Sequence, residues 1–340
     1  MREKVILITG ANGEIGHGLI RQLAAQPDAP GIVVLDIRNL DASMMPLVSR
    51  AITGDILDTE LLDTLINEYE IETIYHLAAL LSSHSEFHPE AAHRVNVQGT
   101  VNLLKLAIDQ GESRGKPVKF IYPSSIAVYG LPDLRTKQDM GAVREEDYLY
   151  PTTMYGANKL YCEHLGRYYA QHYKQLSAGH SLGLDFRCVR FPGIISAITM
   201  PSGGTSDYAP EMIHAAAQGK PYTSFVREDT IIPFMVMPDA TKALLTLSAA
   251  PRDRLTRHVY NVTSFSLSAA EFADYVQQYF PQAQIAFNPT PARQGIVDTW
   301  PAFVTDERAR RDWGWQPDYD LHQAFDDYLI PTITRQYHYS

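Results

Sequence analysis

The chain has 340 residues, with 29 Lys and Arg against 39 Asp and Glu and a formal charge of −10 at pH 7. That balance weighs against nucleic acid as the main partner, because phosphate binding calls for a basic face. No run approaches the roughly 18 apolar residues of a membrane span, and no charged-then-apolar leader opens the chain. A cytoplasmic globular protein of about two structural units, at roughly 150 residues each, is therefore expected, with its two cysteines, Cys162 and Cys188, reduced.

Residues 4–9 (KVILIT) form an uninterrupted apolar run that predicts a buried strand, followed by a Gly-rich turn and a helix over 15–25. Further strands are predicted at 31–36 (GIVVLD), 51–53, 72–76 (ETIYH), 118–122 (VKFIY) and 185–190 (DFRCVR). Between them, helical spacing predicts helices over 59–69, 89–110 and 155–173. Apolar strands alternating with helices indicate an α/β fold, a Rossmann-type doubly wound parallel sheet covered on both faces. Beyond Pro192 the rhythm breaks into Pro, Gly and short mixed elements. The expected division is a dinucleotide-binding domain over 1–191 and a smaller, mainly substrate-binding lobe over 192–340, with some elements returning to the sheet.

The turn Gly10-Ala11-Asn12-Gly13-Glu14-Ile15-Gly16 joins the first strand to the first helix. Gly10 permits the tight bend, Gly13 lets the backbone approach a diphosphate, and Gly16 lets helix pack on strand. The free amides of the helix start then face the phosphates, so residues 10, 12, 13, 14, 15 and 16 are candidate NAD contacts. A plain β-α turn would carry the same glycines. Asp36 ends the second strand, 20 residues after Gly16. A carboxylate there accepts both ribose hydroxyls and repels a 2′-phosphate, favouring NAD over NADP; Arg38 nearby softens the preference, and a simple turn cap is the competing role. Asp55 and Ile56 follow the third strand, where an adenine would lie. Leu77, Ala78 and Ala79 follow the fourth, with side chains small enough for a cofactor to pass.

Tyr155 and Lys159 stand four apart on a predicted helix and so share a face. A phenol titrates near pH 10, too high for a base at neutral pH, and an adjacent ammonium favours its ionised form. Lys159 is also expected to hold the nicotinamide ribose. Upstream, the segment Tyr122-Pro123-Ser124-Ser125 ends the fifth strand, and Ser125 is expected to hydrogen-bond the substrate oxygen as hydride leaves. Asn96 is expected to order a water or backbone group near Lys159, or to tie its helix to a loop. His84, His88 and His93 lack a carboxylate or thiol to complete a set, so no metal is expected. Gly-x-Ser-x-Gly is absent, which removes an esterase elbow.

The glycine turn, His76-Leu77-Ala78-Ala79, the Ser124-Ser125 segment and the Tyr155/Lys159 pair together resemble the extended short-chain dehydrogenase/reductase family. Within it, Arg190-Phe191-Pro192-Gly193-Ile194-Ile195-Ser196, residues 201–209 (PSGGTSDYA), residues 232–240 (IPFMVMPDA), Asp298-Thr299-Trp300-Pro301 and Asp312-Trp313-Gly314-Trp315 are similar to the L-threonine 3-dehydrogenase branch. The resemblance implies NAD as cofactor, a homodimer, further cofactor contacts at Pro192 and Ile194, and oxidation of the L-threonine hydroxyl to 2-amino-3-ketobutyrate. Threonine is small and zwitterionic. Ser82, Thr205, Ser206 and the amides of Gly203 and Gly204 are expected to meet its carboxylate, Asp207 its ammonium, and Trp300 to close the pocket against water. An ordinary helix-capping turn at 203–207 and core packing of Trp300 are the competing roles. The chain departs from the branch in an insertion at 174–183, a long segment at 131–147, Ser83-His84-Ser85-Glu86, and Phe234 and Val236 beside the expected pocket. These departures leave another small 3-hydroxy amino or carboxylic acid open as substrate. A nucleotide-sugar epimerase or dehydratase on the same scaffold, and an NAD-sensing module without turnover, are the more distant alternatives.

Overall fold

A computed structural model describes residues 2–177, 183–201 and 204–338, the side chain of His338 excepted. Ser202 and Gly203, and residues 178–182 of the insertion beginning at Lys174, therefore lie outside the described residues. The strands in chain order are β1 (Glu3–Thr9), β2 (Gly31–Asp36), β3 (Arg50–Thr53), β4 (Tyr69–His76), β5 (Lys119–Ser125), β6 (Asp185–Phe191), β7 (Gly193–Ile195), β8 (Tyr222–Ser224), β9 (Ile231–Val236), β10 (Val259–Asn261), β11 (Phe265–Ser268) and β12 (Ile285–Phe287). Seven of them make one parallel sheet in the order β10-β6-β5-β4-β1-β2-β3, a Rossmann-type α/β fold. The edge strand β10 comes from the second half of the chain and pairs Val259–Asn261 alongside Cys188, Val189 and Arg190. Two small sheets, β11-β9-β7 and β12-β8, lie outside the main one.

The sheet is apolar on both faces because helices cover both. On one side Leu19 and Ile20 of the helix Glu14–Ala24 pack with Leu244 and Leu247 of the helix Met237–Ala249. On the other, Leu62, Leu104 and Cys162, from three crossover helices, meet Phe120 and Phe186. A third apolar cluster gathers Tyr208, Met212, Phe234, Phe272, Trp300 and Phe325 from the second half of the chain; Ile126–Val128 join it, and Tyr155 packs against it. Phe234 and Val236, the substitutions expected beside a pocket, are fully buried in that cluster.

The predicted helix over 89–110 is one continuous rod with a widened, π-helical turn at His93–Gln98 between Pro89–Ala92 and Gly99–Arg114. Such turns release a backbone carbonyl from the regular ladder. Here the Asn96 carbonyl accepts from the Thr100 hydroxyl at 2.6 Å and the Cys162 thiol at 3.2 Å, which fastens this helix to the one carrying Tyr155. Strand order reverses between β1 and β4, whose last residues, Thr9 and His76, are register partners. Open α/β sheets bind ligands at such a switch point, outside the carboxyl ends of the strands.

Candidate active site

The turn after β1 is built for close approach. Gly10 has φ +67°, and a Cβ there would fall 2.5 Å from the Ala78 nitrogen, so the first turn and the Leu77-Ala78 segment touch backbone to backbone. A Cβ on Gly16 would stand 2.2 Å from the Ala11 carbonyl oxygen. Gly13 caps the helix Glu14–Ala24 without a side chain, and a Cβ on it would meet only the Gly10 carbonyl oxygen, at 3.4 Å. Free helix amides with open space before them form a cradle that fits a diphosphate. The Asp36 carboxylate, buried at the end of β2, accepts from the Asn12 amide at 2.9 Å and the Arg38 amide at 3.0 Å. Those bonds fix it beside the turn. Arg38 Nε stands 3.8 Å from it. Asp55 is exposed and accepts from the Leu57 amide, while buried Ile56 packs under Gly99.

Beneath this turn His76 bridges Thr9, 2.8 Å from Nδ1, and Thr100, 2.9 Å from Nε2. Because the Thr100 hydroxyl donates to the Asn96 carbonyl, Nε2 carries the proton and Nδ1 accepts from Thr9. The ring is therefore neutral, and burial, helped by the Lys159 charge, pulls its pKa down to about 3. An unfolded histidine titrates near 6.5, so below that pH the unfolded chain takes a proton that the folded chain refuses, and stability falls with pH. Between pH 7 and 5 this one group should remove about 2 kcal/mol. Urea unfolding at both pH values checks it. His76→Gln, which bridges both threonines without titrating, should lose correspondingly less than the parent over the same interval.

The helix Met154–Gln171 starts at Thr153, whose hydroxyl accepts from the Gly156 amide at 3.0 Å; the Glu86 carboxylate accepts from the Met154 amide at 2.6 Å. A Cβ on Gly156 would lie 2.0 Å from the Ala127 carbonyl oxygen, so this helix meets the turn after β5 at van der Waals contact. Ser125 caps that turn, accepting from the Ala127 amide at 3.2 Å, which leaves its O–H to donate elsewhere. Tyr155 and Ser125 are thus held on two elements that touch. Gly156→Ala should force them apart and lower kcat by about 10²-fold, with NAD affinity nearly kept; steady-state kinetics beside an NAD titration checks this.

Lys159 Nζ donates to the Pro123 carbonyl at 2.7 Å and sits 5.6 Å from the centroid of the Tyr155 ring. The expected lowering of the phenol's pKa does not dominate here. Burial pushes Tyr155 well above its ordinary value and pulls Lys159 down to about 8. One turn after Lys159, Glu163 forms a buried two-pronged pair with Arg190, at 2.6 and 2.9 Å, and Arg190 also donates to the Tyr129 hydroxyl and the Glu145 carbonyl. The pair has no signature in sequence, since the strand Asp185–Phe191 carries a second arginine, Arg187, that pairs with Asp185 instead.

Asn96 spends its side chain on the backbone of Leu80, donating to the carbonyl and accepting from the amide, so it ties its helix to the loop before Ser82. Ser82 and Thr205 lie together: the Thr205 amide and hydroxyl both reach Ser82 Oγ at 3.4 Å. Asp207 takes part in its own turn. Its carboxylate turns back to accept from the Gly204 amide at 2.5 Å, closing its own turn before the helix Tyr208–Ala217. Ser206 is half-buried. Trp300 is 4% exposed and part of the apolar cluster against which Tyr155 packs; its indole N–H has no partner among the described residues. Pro192 is buried and Ile194 half-buried just beyond β6. Among the described residues no group of three metal-ligating side chains occurs, and no helix is long and apolar enough to cross a membrane.

A glycine-rich turn at the switch point, with a Tyr/Lys pair on the helix that meets the turn after β5, is the arrangement expected of an NAD-linked oxidoreductase. Residues 6–263 match the NAD dependent epimerase/dehydratase family, and the chain belongs to that family, the extended short-chain dehydrogenases/reductases. It is an oxidoreductase acting on CH–OH groups with NAD as cofactor. Over 316 residues it is 34% identical to the mitochondrial L-threonine 3-dehydrogenase of Bos taurus, covering 93% of this chain and 79% of that one. An L-threonine dehydrogenase from Clostridium difficile superposes with a TM-score of 0.85 at 32% identity, over 99% of each chain. A monomeric L-threonine 3-dehydrogenase from a metagenome superposes with a TM-score of 0.84 at 34% identity, over 98% of this chain and 99% of that one.

Proposed function

We propose that the protein oxidises L-threonine to 2-amino-3-ketobutyrate, hydride leaving the hydroxyl-bearing carbon for NAD and the hydroxyl proton leaving for Tyr155. The observation that carries this reading is the end-to-end likeness, above 30% identity, to L-threonine dehydrogenases in a chain that keeps the Tyr155/Lys159 pair. Gly10, Asn12, Gly13, Glu14, Ile15 and Gly16 hold the diphosphate through their backbone, and Asp36 holds the adenosine ribose. Asp55 and Ile56 flank the adenine. Leu77, Ala78, Ala79, Pro192 and Ile194 line the path to the nicotinamide, and Asn96 supports that path by fixing Leu80. Bound NAD supplies a cationic ring that accepts the hydride and whose charge favours an ionised phenol beside it.

Lys159 holds the nicotinamide ribose and adds a second positive charge near Tyr155, so the burial that raises the phenol's pKa in the protein alone is opposed once cofactor is present. Ser125 donates to the substrate oxygen and keeps it against Tyr155. Ser82, Thr205, Ser206 and the amides at 203–204 meet the carboxylate, and the second oxygen of Asp207 takes the ammonium. Trp300 walls the pocket from water.

A nucleoside diphosphate would need cations in this half of the chain. Arg227 is committed to Asp298 in a two-pronged pair at 2.9 Å, and Arg293 donates to the Gly204 carbonyl at 2.6 Å with its guanidinium over Phe225. Both engagements favour a small substrate. In this reading the enzyme works in the cytoplasm as a homodimer. The exposed rings of Tyr161 and Tyr168, seven apart on the helix Met154–Gln171, offer an apolar face for pairing; sedimentation at micromolar concentration decides, a monomer being the contrary result. For the substrate, NADH formation is followed with L-threonine, L-serine, 3-hydroxybutyrate and a UDP-sugar in parallel. Threonine should be used at least tenfold more efficiently than the rest, and turnover of another compound in its place would overturn the assignment.

A further inference from the structure

We propose that Ser196 is a positioning residue for the cofactor, its hydroxyl holding the Glu14 carboxylate aside from the diphosphate cradle. Glu14 is the first residue of the helix that begins at the glycine turn. Its backbone belongs to the cradle, but its side chain carries a negative charge to the place where two phosphates must sit. A carboxylate is also drawn to free helix amides, so an unrestrained Glu14 would compete with the ligand for the same positive end. Among the described residues no Lys, Arg or His forms an ion pair with it.

What restrains it comes from the other half of the chain. Ser196 follows β7, and its Oγ donates to Glu14 Oε1 at 2.5 Å while accepting from the amides of Ile198 at 3.0 Å and Thr199 at 2.9 Å. A hydroxyl has one hydrogen, and here two backbone donors occupy its oxygen and aim that hydrogen at Glu14. Ser196 is itself clasped. Its carbonyl meets His214 Nε2 at 3.1 Å, and the other imidazole nitrogen meets the Tyr337 hydroxyl at 2.8 Å. The next amide, of Ala197, donates to the Tyr328 hydroxyl at 3.3 Å. The last helices of the chain thus fix the serine that fixes the carboxylate.

Isothermal titration with ADP and with adenosine, in the absence of any hydroxy-acid substrate, tests this on the intact protein. Ser196→Ala should weaken ADP binding roughly five- to tenfold, because the freed carboxylate repels or displaces the diphosphate, and should leave adenosine unchanged. Glu14→Gln should tighten ADP a few-fold. The double variant should behave as Glu14→Gln does, since Ser196 has no charge left to restrain. An unchanged ADP affinity in Ser196→Ala, an equal loss for adenosine, or a double variant as weak as Ser196→Ala would each overturn the proposal and leave Ser196 a purely structural link. If Ser196→Ala cannot be purified, Ser196→Cys, of similar size but a poor donor, carries the same expectations. The proposal rests on the cofactor alone, so it stands or falls separately from the threonine assignment.

Discussion

Tyr155→Phe should lower kcat by about 10²–10⁴-fold, with NAD affinity unchanged within about twofold and the unfolding midpoint kept within the roughly ±0.5 kcal/mol of a benign substitution. The reasoning combines two facts. The phenol ring is half-buried against the apolar cluster, and that packing survives in Phe. The oxygen is the atom assigned the proton, and Lys159 cannot replace it, because an ammonium donating to the Pro123 carbonyl has no lone pair to accept a proton. Burial raises the phenol's pKa above its ordinary value in the free protein. The pH at which the parent's kcat rises should accordingly lie below the pH at which the free enzyme's phenol ionises, the difference being the work of the bound cofactor. Retention of full activity in Tyr155→Phe would remove the base from the mechanism.

Arg190→Met should cost about 3–5 kcal/mol of stability, because it leaves the Glu163 carboxylate buried and without its cation. Both partners are 3% exposed. The Tyr129 hydroxyl and Glu145 carbonyl lose a donor in the same step. The double variant Arg190→Met/Glu163→Leu should recover most of that loss, since an apolar pair of similar volume often matches a buried ion pair. Chemical denaturation of both variants checks the pair. Glu163 sits one turn beyond Lys159, so the single variant should also shift the pH profile of kcat, which a defect confined to packing would not do.

The main sheet was legible where local pattern and final environment agree. β1, β2 and β5 carry near-continuous apolar runs because both faces are covered, and the glycine turn announces itself because only glycine tolerates φ +67° at Gly10 or the contact at Gly16. β10 was not legible: three residues, Val-Tyr-Asn, owe their strand to pairing with β6 some seventy residues earlier. The π-turn at His93–Gln98 was equally hidden, since its benefit is a carbonyl offered to Thr100 and Cys162, one of them far along the chain. At the site, residue type pointed to Tyr155, Lys159 and Ser125 by chemistry. It could not assign orientation. Asp207 looked free to face an ammonium, but a neighbouring amide claimed one oxygen. Ser196 and Glu86 act through single hydrogen bonds to partners 182 and 68 residues away, and such pairings leave no periodic trace. Thr153 did carry a signal, a Thr directly before a helical run, of the kind that marks an N-cap.

The central claim is that hydride departs from the hydroxyl-bearing carbon of threonine. L-Threonine deuterated at that carbon, incubated with enzyme and NAD, tests it directly by mass spectrometry of the reduced cofactor. The account predicts one deuterium in the NADH formed and a slower turnover than with unlabelled threonine. Reduced cofactor without the label, or no reduction by threonine while another hydroxy acid is oxidised, would contradict it.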